Sequence, residues 1–100
     1  MSEIHKVIVL STAHITESDM ALLEYAGEGG GSPVLCALDP YGGWVFAPDD
    51  EEQLEEVREH GFSNSMVKVL RFARSKDCRY VKFDEDGEIE TDRELNVHDW

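Results

Sequence analysis

An α+β fold is predicted for this chain, with a small mixed or antiparallel sheet, about three helices, and the order β-α-β-β-α-α-β-β. Three observations lead there: a β-branched run near the N-terminus, two hairpin signals at Asp39-Pro40-Tyr41-Gly42-Gly43 and Asp86-Gly87, and apolar residues at helical spacing in the segments between them. With 100 residues and 41% hydrophobic composition, residues 1–100 make one domain with a modest core.

Residues 4–10 suit a buried strand, and Ser11-Thr12-Ala13-His14 connects it to a helix beginning at Thr16. Thr16-Glu17-Ser18-Asp19 reads as a capping box with Asp in place of Glu. Met20, Leu23 and Ala26 follow at helical spacing, while Ala21, Leu22 and Tyr25 widen the apolar surface, so this helix is expected to be largely buried. The run Gly27-Glu28-Gly29-Gly30-Gly31-Ser32-Pro33 then breaks it in a loop expected to be mobile. Residues 34–38 and 44–47 are short strands that should pair as a hairpin. After Pro48, residues 49–59 read as a capped helix that ends at His60-Gly61. A further helix starts at Phe62-Ser63-Asn64 and places Phe62, Met66, Val69, Leu70 and Ala73 on one face, with Lys68, Arg71 and Arg74 outside. Residues 78–83 are the next strand, and Asp86-Gly87 should turn the chain into a last strand at residues 88–91. Leu95, Val97 and Trp100 supply apolar anchors in the tail.

A net charge of −13 argues against direct binding to DNA, RNA or an anionic membrane, because each would be repelled before contact. A basic protein partner stays open. Cys36 and Cys78 lie in apolar runs and read as reduced core thiols, and Val7-Ile8-Val9-Leu10 is too short for a membrane span and is followed by no cleavage pattern, so a cytoplasmic location is expected.

Sites for chemistry are few. Ser11, Thr12 and His14 follow a strand and precede a helix, where α/β folds often hold ligands, and a Ser/His pair there could support nucleophilic chemistry. The competing reading, that Ser11 and Thr12 satisfy loop backbone and His14 packs, is preferred because no triad is recognisable. Gly29-Gly30-Gly31 follows a helix and precedes a strand, the reverse of a phosphate loop. Asp84-Glu85-Asp86-Gly87-Glu88 has the flavour of a calcium loop, yet setting Gly87 at its sixth position puts Lys82 where a carboxylate is required. His5, His14, His60 and His98 lack zinc-ligand spacing. No catalytic residue, metal or cofactor is therefore expected.

The carboxylates carry the functional signal. Fourteen of the twenty-two acidic residues fall in residues 49–59 and 84–94, each stretch with a single arginine. The candidate partner-binding residues are Asp49, Asp50, Glu51, Glu52, Glu55, Glu56 and Glu59 in the first, and Asp84, Glu85, Asp86, Glu88 and Glu90 in the second. On a helix, Glu51/Glu55, Glu52/Glu56 and Glu55/Glu59 are like-charge neighbours, each costing about 0.2–0.5 kcal/mol. A negative strip at nearly phosphate-like spacing could occupy a Lys/Arg groove built for nucleic acid. The plainer reading is a solvated acidic surface that favours solubility. Six of the nine basic residues, Lys68, Arg71, Arg74, Lys76, Arg79 and Lys82, lie close together. One use for them is internal, beside the acidic helix; another is self-association as a homodimer, held chiefly by apolar contacts because exposed ion pairs are worth about 0–1 kcal/mol each.

Residues Val7-Ile8-Val9-Leu10-Ser11-Thr12-Ala13-His14-Ile15-Thr16, the Gly61-Phe62-Ser63 step and Val81-Lys82-Phe83-Asp84-Glu85-Asp86-Gly87 together resemble an uncharacterised family of small acidic proteins carried on bacterial plasmids and phages. The resemblance spans most of the chain and brings no catalytic residues with it. It implies a mobile-element product acting in the bacterial host cell, similar to anti-restriction and anti-CRISPR inhibitors. The leading expectation is a non-enzymatic anti-defence protein whose acidic helix and acidic hairpin occupy the DNA site of a nucleic-acid-binding defence complex, such as a CRISPR effector or restriction enzyme. Alternatives are an interaction or regulatory module using an apolar surface around Tyr41, Trp44 and Trp100, and a small enzyme using Ser11 or His14.

Overall fold

The structure, a computed structural model, describes residues 5–27, 30–31, 36–40, 42–90 and 95–98. In chain order these form β1 (Val7–Ser11), a 3₁₀ turn (Thr12–His14), α1 (Glu17–Gly27), β2 (Cys36–Asp39), β3 (Gly42–Phe46), α2 (Glu51–His60), α3 (Asn64–Ser75) and β4 (Tyr80–Asp84). The strands make one mixed sheet in the order β1-β4-β3-β2, with β1 parallel to β4 and the other neighbours antiparallel. This is the α+β architecture that the sequence predicts.

Side chains alternate across a strand, so the register Ile8↔Val81↔Val45 and Leu10↔Phe83 puts those five residues on one face of the sheet. All three helices lie on that face: Leu23 of α1, Leu54 and Val57 of α2, and Met66, Val69, Leu70 and Ala73 of α3 join the same buried cluster. Fully burying one such Val, Leu or Phe contributes about 1.5–3 kcal/mol. Phe62, Met66, Val69, Leu70 and Ala73 are all buried as their spacing predicts. Val67 and Phe72, on the two flanks of that face, are buried as well. The opposite face of the sheet carries Val7, Val9, Trp44, Phe46, Tyr80 and Lys82, and no helix of the described residues covers it.

The helix ends follow local rules. Asp50 caps α2 by accepting from Glu52 N, and Gly61 ends it at φ 118°, a left-handed geometry that a glycine adopts without strain. Ser63 caps α3. That helix closes with Asp77 at φ 58° and Cys78 N donating to Ala73 O, the Schellman pattern with Asp in the glycine position. Cys78 is thereby drawn into the cap, which is why β4 starts at Tyr80 rather than at residue 78.

Other expectations are corrected. The last strand, expected at residues 88–91, is absent over 88–90, and Thr91 lies outside the described residues. The turn itself forms, with Gly87 N donating to Asp84 O and Asp86 N to Asp84 Oδ1. However, β4 already has β1 on one side and β3 on the other, so it has no free edge for a hairpin partner. The chain instead crosses the end of β1, where Ser11 N donates to Glu88 O. Gly87 is needed for close approach, since a Cβ would sit 2.9 Å from the Leu10 carbonyl. Helix α1 is less buried than its composition suggests: Leu23 and Asp19 are inside, Met20 and Leu22 half-buried, and Ala21 and Tyr25 exposed. In the tail Leu95 is buried and Val97 exposed. Ile4, Tyr41, Trp100 and most of the glycine-rich stretch lie outside the described residues.

Candidate functional site

Helix α2 displays its carboxylates on one side because Leu54 and Val57 fix the inward direction. At 100° per residue, Glu52, Glu55, Glu56 and Glu59 all fall within about 50° of the opposite direction. All four are exposed, and the strip from Glu52 to Glu59 runs about 10 Å along the axis at 1.5 Å per residue. Glu55 meets Arg58 at 3.0 Å; Glu52, Glu56 and Glu59 have no ion pair among the described residues.

Glu51 stands apart on the flank toward α3. Its two oxygens take Arg71 at 2.9 Å and Arg74 at 3.1 Å. The hydrogen bond from Arg71, supported by Arg74, holds the Glu51 carboxyl below the ordinary carboxylate range. Arg74 also donates to Asp49 O at 2.9 Å, fastening the segment that leads into α2. The basic helix therefore neutralises the start of α2 and leaves its outer face uncompensated. These groups line a cleft of about 550 Å³ in which Arg71, Arg74 and Arg79 face Asp49, Glu51 and Asp77, so its charges balance.

The second acidic segment lies elsewhere, over the ends of β1 and β4. Asp84 is half-buried, with one oxygen holding Asp86 N and the other 3.8 Å from Lys82. Glu85, Asp86 and Glu88 are exposed, whereas Glu90 is half-buried and its backbone N–H donates to His14 Nε2 at 2.8 Å. Of the twelve candidate residues, Asp50, Glu51, Glu55 and Asp84 bond through their carboxylates, and the exposed carboxylates with no ion pair among the described residues divide between Glu52, Glu56 and Glu59 on α2 and Glu85, Asp86 and Glu88 on the turn.

Ser11 and His14 do not form a nucleophilic pair. Ser11 Oγ accepts from Ala13 N, and the fully buried His14 holds Asn96 O with Nδ1 while Nε2 accepts from Glu90 N, which assigns its proton to Nδ1. Sequence spacing missed a second Ser/His contact, Ser65 Oγ to His98 Nε2 at 2.7 Å, because its members are 33 residues apart. Ser65 is also 3.1 Å from Asn96 Oδ1, which in turn takes Lys68 Nζ. The assignment that satisfies all these groups sends the Ser65 proton to Asn96 and has His98 donating, so the imidazole does not act as a base toward Ser65. Together with His98 N on Ala13 O, these bonds fasten the tail to α3 and the 3₁₀ turn.

Asp19 is the other polar centre that the sequence signals only in part. The predicted capping box forms, Asp19 N donating to Thr16 Oγ1 and Thr16 N to Asp19 Oδ2. The same carboxylate also takes Ser63 N at 2.8 Å and Ser63 Oγ at 2.5 Å, joining the starts of α1 and α3. Among the described residues no buried side-chain nitrogen or oxygen lacks a partner, and no three His, Cys, Asp or Glu are grouped to hold a metal ion. Cys78 is a buried thiol whose Sγ lies 3.7 Å from Lys76 O. No helix among the described residues is long and apolar enough to cross a membrane.

Residues 7–100 match the C-terminal domain of a family of unknown function, DUF5983. The chain belongs to this family. The match opens at the first residue of β1 and so takes in every element described above. Neither a curated protein nor a solved structure matches the chain. Seen on this DUF5983 domain, the residues that carried the resemblance have structural roles: Val7 to Ser11 form β1, Gly61 and Ser63 join α2 to α3 beside Asp19, and Val81 to Gly87 form β4 and its turn.

Proposed function

We propose that this domain is a non-enzymatic anti-defence protein that occupies the nucleic-acid groove of a bacterial CRISPR effector or restriction complex. The observation that supports this most directly is the strip Glu52, Glu55, Glu56 and Glu59, exposed on one helix face and, among the described residues, paired only through Glu55 with Arg58. A groove lined with Lys and Arg attracts such a strip by the same salt-screened electrostatics that draws it to phosphates. The exposed turn at Glu85, Asp86 and Glu88 is a second contact for the same kind of partner. The origin of the gene on a plasmid or phage, and action in the host cytoplasm, are part of this proposal.

The test is charge reversal of the strip, with Glu52, Glu55, Glu56 and Glu59 each changed to Lys. Far-ultraviolet dichroism should show the fold retained, while inhibition of DNA binding by the target complex is lost and wild-type binding weakens steeply with salt. Inhibition that survives the reversal would sink the proposal. A second reading, an interaction module working through apolar surface, is favoured by Trp44, which is 37% exposed on the open sheet face. It predicts that Trp44→Ala weakens partner binding with little salt dependence.

A further inference from the structure

A groove of about 450 Å³ lies between α2 and α3, lined by Arg58 of α2 and by Asn64, Val67, Lys68 and Arg71 of α3. Three of the nine basic residues of a chain with net charge −13 converge there, and no carboxylate of the described residues lines it. The cleft that shares Arg71 with it is different, because Asp49, Glu51 and Asp77 balance its three arginines. Lys68 and Arg71 are like-charge neighbours three residues apart, which costs α3 stability rather than adding to it. The cations are held by contacts that leave donors unused. Arg58 Nε donates to Asn64 Oδ1 at 3.0 Å and its Nη1 to the two Glu55 oxygens at 3.1 and 3.0 Å, so Nη2 is left over among the described residues. Arginine can only donate, so Asn64 turns its oxygen to Arg58 and keeps its NH₂ available. Arg71 uses only Nη2, on Glu51, and Lys68 Nζ has one long contact, 3.4 Å to Asn96 Oδ1. Every unused side-chain polar group of the groove is therefore a donor.

We infer that this groove binds a phosphoryl group, either inorganic phosphate or the phosphate of a small monoester. Donors from Arg58, Asn64, Lys68 and Arg71 arrive from two helices and suit a tetrahedral oxyanion whose oxygens point in different directions, whereas a planar carboxylate is saturated by a single guanidinium fork. Glu55 and Asn64 hold one guanidinium and Glu51 the other, so less side-chain freedom is lost when an anion enters. The groove is larger than one phosphate and leaves room for the group that carries it. The negative net charge does not forbid this ligand. Screening acts over about 8 Å at physiological ionic strength, so a small anion inside the groove senses chiefly the side chains that line it, while a long nucleic acid would also meet the acidic surfaces. The site is separate from the outward strip of α2 and stands or falls independently of it.

Titration of the isotope-labelled full chain with inorganic phosphate, followed by nuclear magnetic resonance at an ionic strength held constant with chloride, tests the inference. The expected result is saturable movement of the Arg58 and Arg71 Nε–H and Asn64 NH₂ signals. A nucleoside monophosphate in the second arm identifies the source: tighter binding than phosphate assigns the site to a monoester, and equal binding to the free ion. Asn64→Asp replaces the unused amide donors with a carboxylate oxygen and keeps an acceptor for Arg58. An acid is favourable at the first residue of α3, so the fold should hold while affinity falls on the order of tenfold or more. Lys68→Gln removes one charge, leaves both arginines in their contacts, and should weaken binding to a smaller extent with native dichroism. Signals that drift without saturating, or that chloride moves equally, overturn the inference. So does phosphate binding that is unchanged in both variants or that moves Arg79 and not Asn64.

Discussion

Asp19→Ala should be among the most damaging substitutions in the molecule. The side chain is fully buried and accepts from Thr16 N at 3.0 Å, Ser63 N at 2.8 Å and Ser63 Oγ at 2.5 Å. Its loss leaves the Thr16 and Ser63 backbone donors without partners at the junction of α1 and α3, while Thr16 Oγ1 still caps α1 by accepting from the backbone N–H of residue 19. Each stranded donor costs about 1–3 kcal/mol. The combined loss is therefore about 2–6 kcal/mol, against the roughly 5–15 kcal/mol total expected of a domain this size. Urea unfolding followed by tryptophan fluorescence measures it as a fall in midpoint with the slope unchanged. Asp19→Asn keeps one acceptor but points an amide at a donor, so it should lie between the wild type and the alanine variant. Ser63→Ala should cost less when Asp19 is already alanine, a coupling that a double-mutant cycle reads directly. A loss below about 1 kcal/mol for Asp19→Ala would refute the reasoning, since hydrogen bonds to a buried carboxylate should be worth more than that.

Asp77 holds a left-handed φ of 58° at the end of α3, so Asp77→Gly should raise stability by about 0.5–1 kcal/mol in the same urea assay. Glu51 titrates below its ordinary range because of Arg71 and Arg74. A depressed folded-state pKa contributes stability that is present above the unfolded value and lost as pH falls through the folded one. Unfolding midpoints of wild type and Glu51→Gln should therefore differ at pH 7 and converge in acid below that lowered value, with the gap shrinking as salt is added.

The α+β class, the helix caps and the apolar face of α3 were legible because each rests on a local rule: a capping side chain, a glycine after a helix, or a 3.6-residue period. Gly61 and Ser63 mark their helix ends in the sequence as plainly as in the structure. The failures share one cause, competition from contacts distant in sequence. Asp86-Gly87 signals a hairpin locally, but nothing local reveals that β1 and β3 will occupy both edges of β4. Tyr25 is expected to widen the buried surface of α1 and lies exposed, because the inward face of α1 runs along Asp19, Met20, Leu23 and Ala26 and Tyr25 points away from it. In the candidate site, the outward strip of α2 follows from helix period alone. The partition that sets Glu51 aside needed the packing of α2 on α3, with Arg71 and Arg74 twenty and twenty-three residues away.

That partition supplies a way to separate a functional strip from a merely solubilising one. Surface charge that serves solubility alone is satisfied by interspersed signs, and alternation would also stabilise α2. As it stands, Glu56 has Glu52 four residues before it and Glu59 three residues after it, both on the same exposed face. Glu56→Lys removes two repulsions and creates two attractions, each worth about 0.2–0.5 kcal/mol, so stability should rise by about 1 kcal/mol. The net charge would remain strongly negative, and solubility should hardly change. If the strip occupies a basic groove, the same substitution should weaken inhibition of the target complex even as the unfolding midpoint increases. A variant that is more stable, equally soluble and fully inhibitory would mean that the acidic face of α2 is surface chemistry only, and that binding resides elsewhere on the domain.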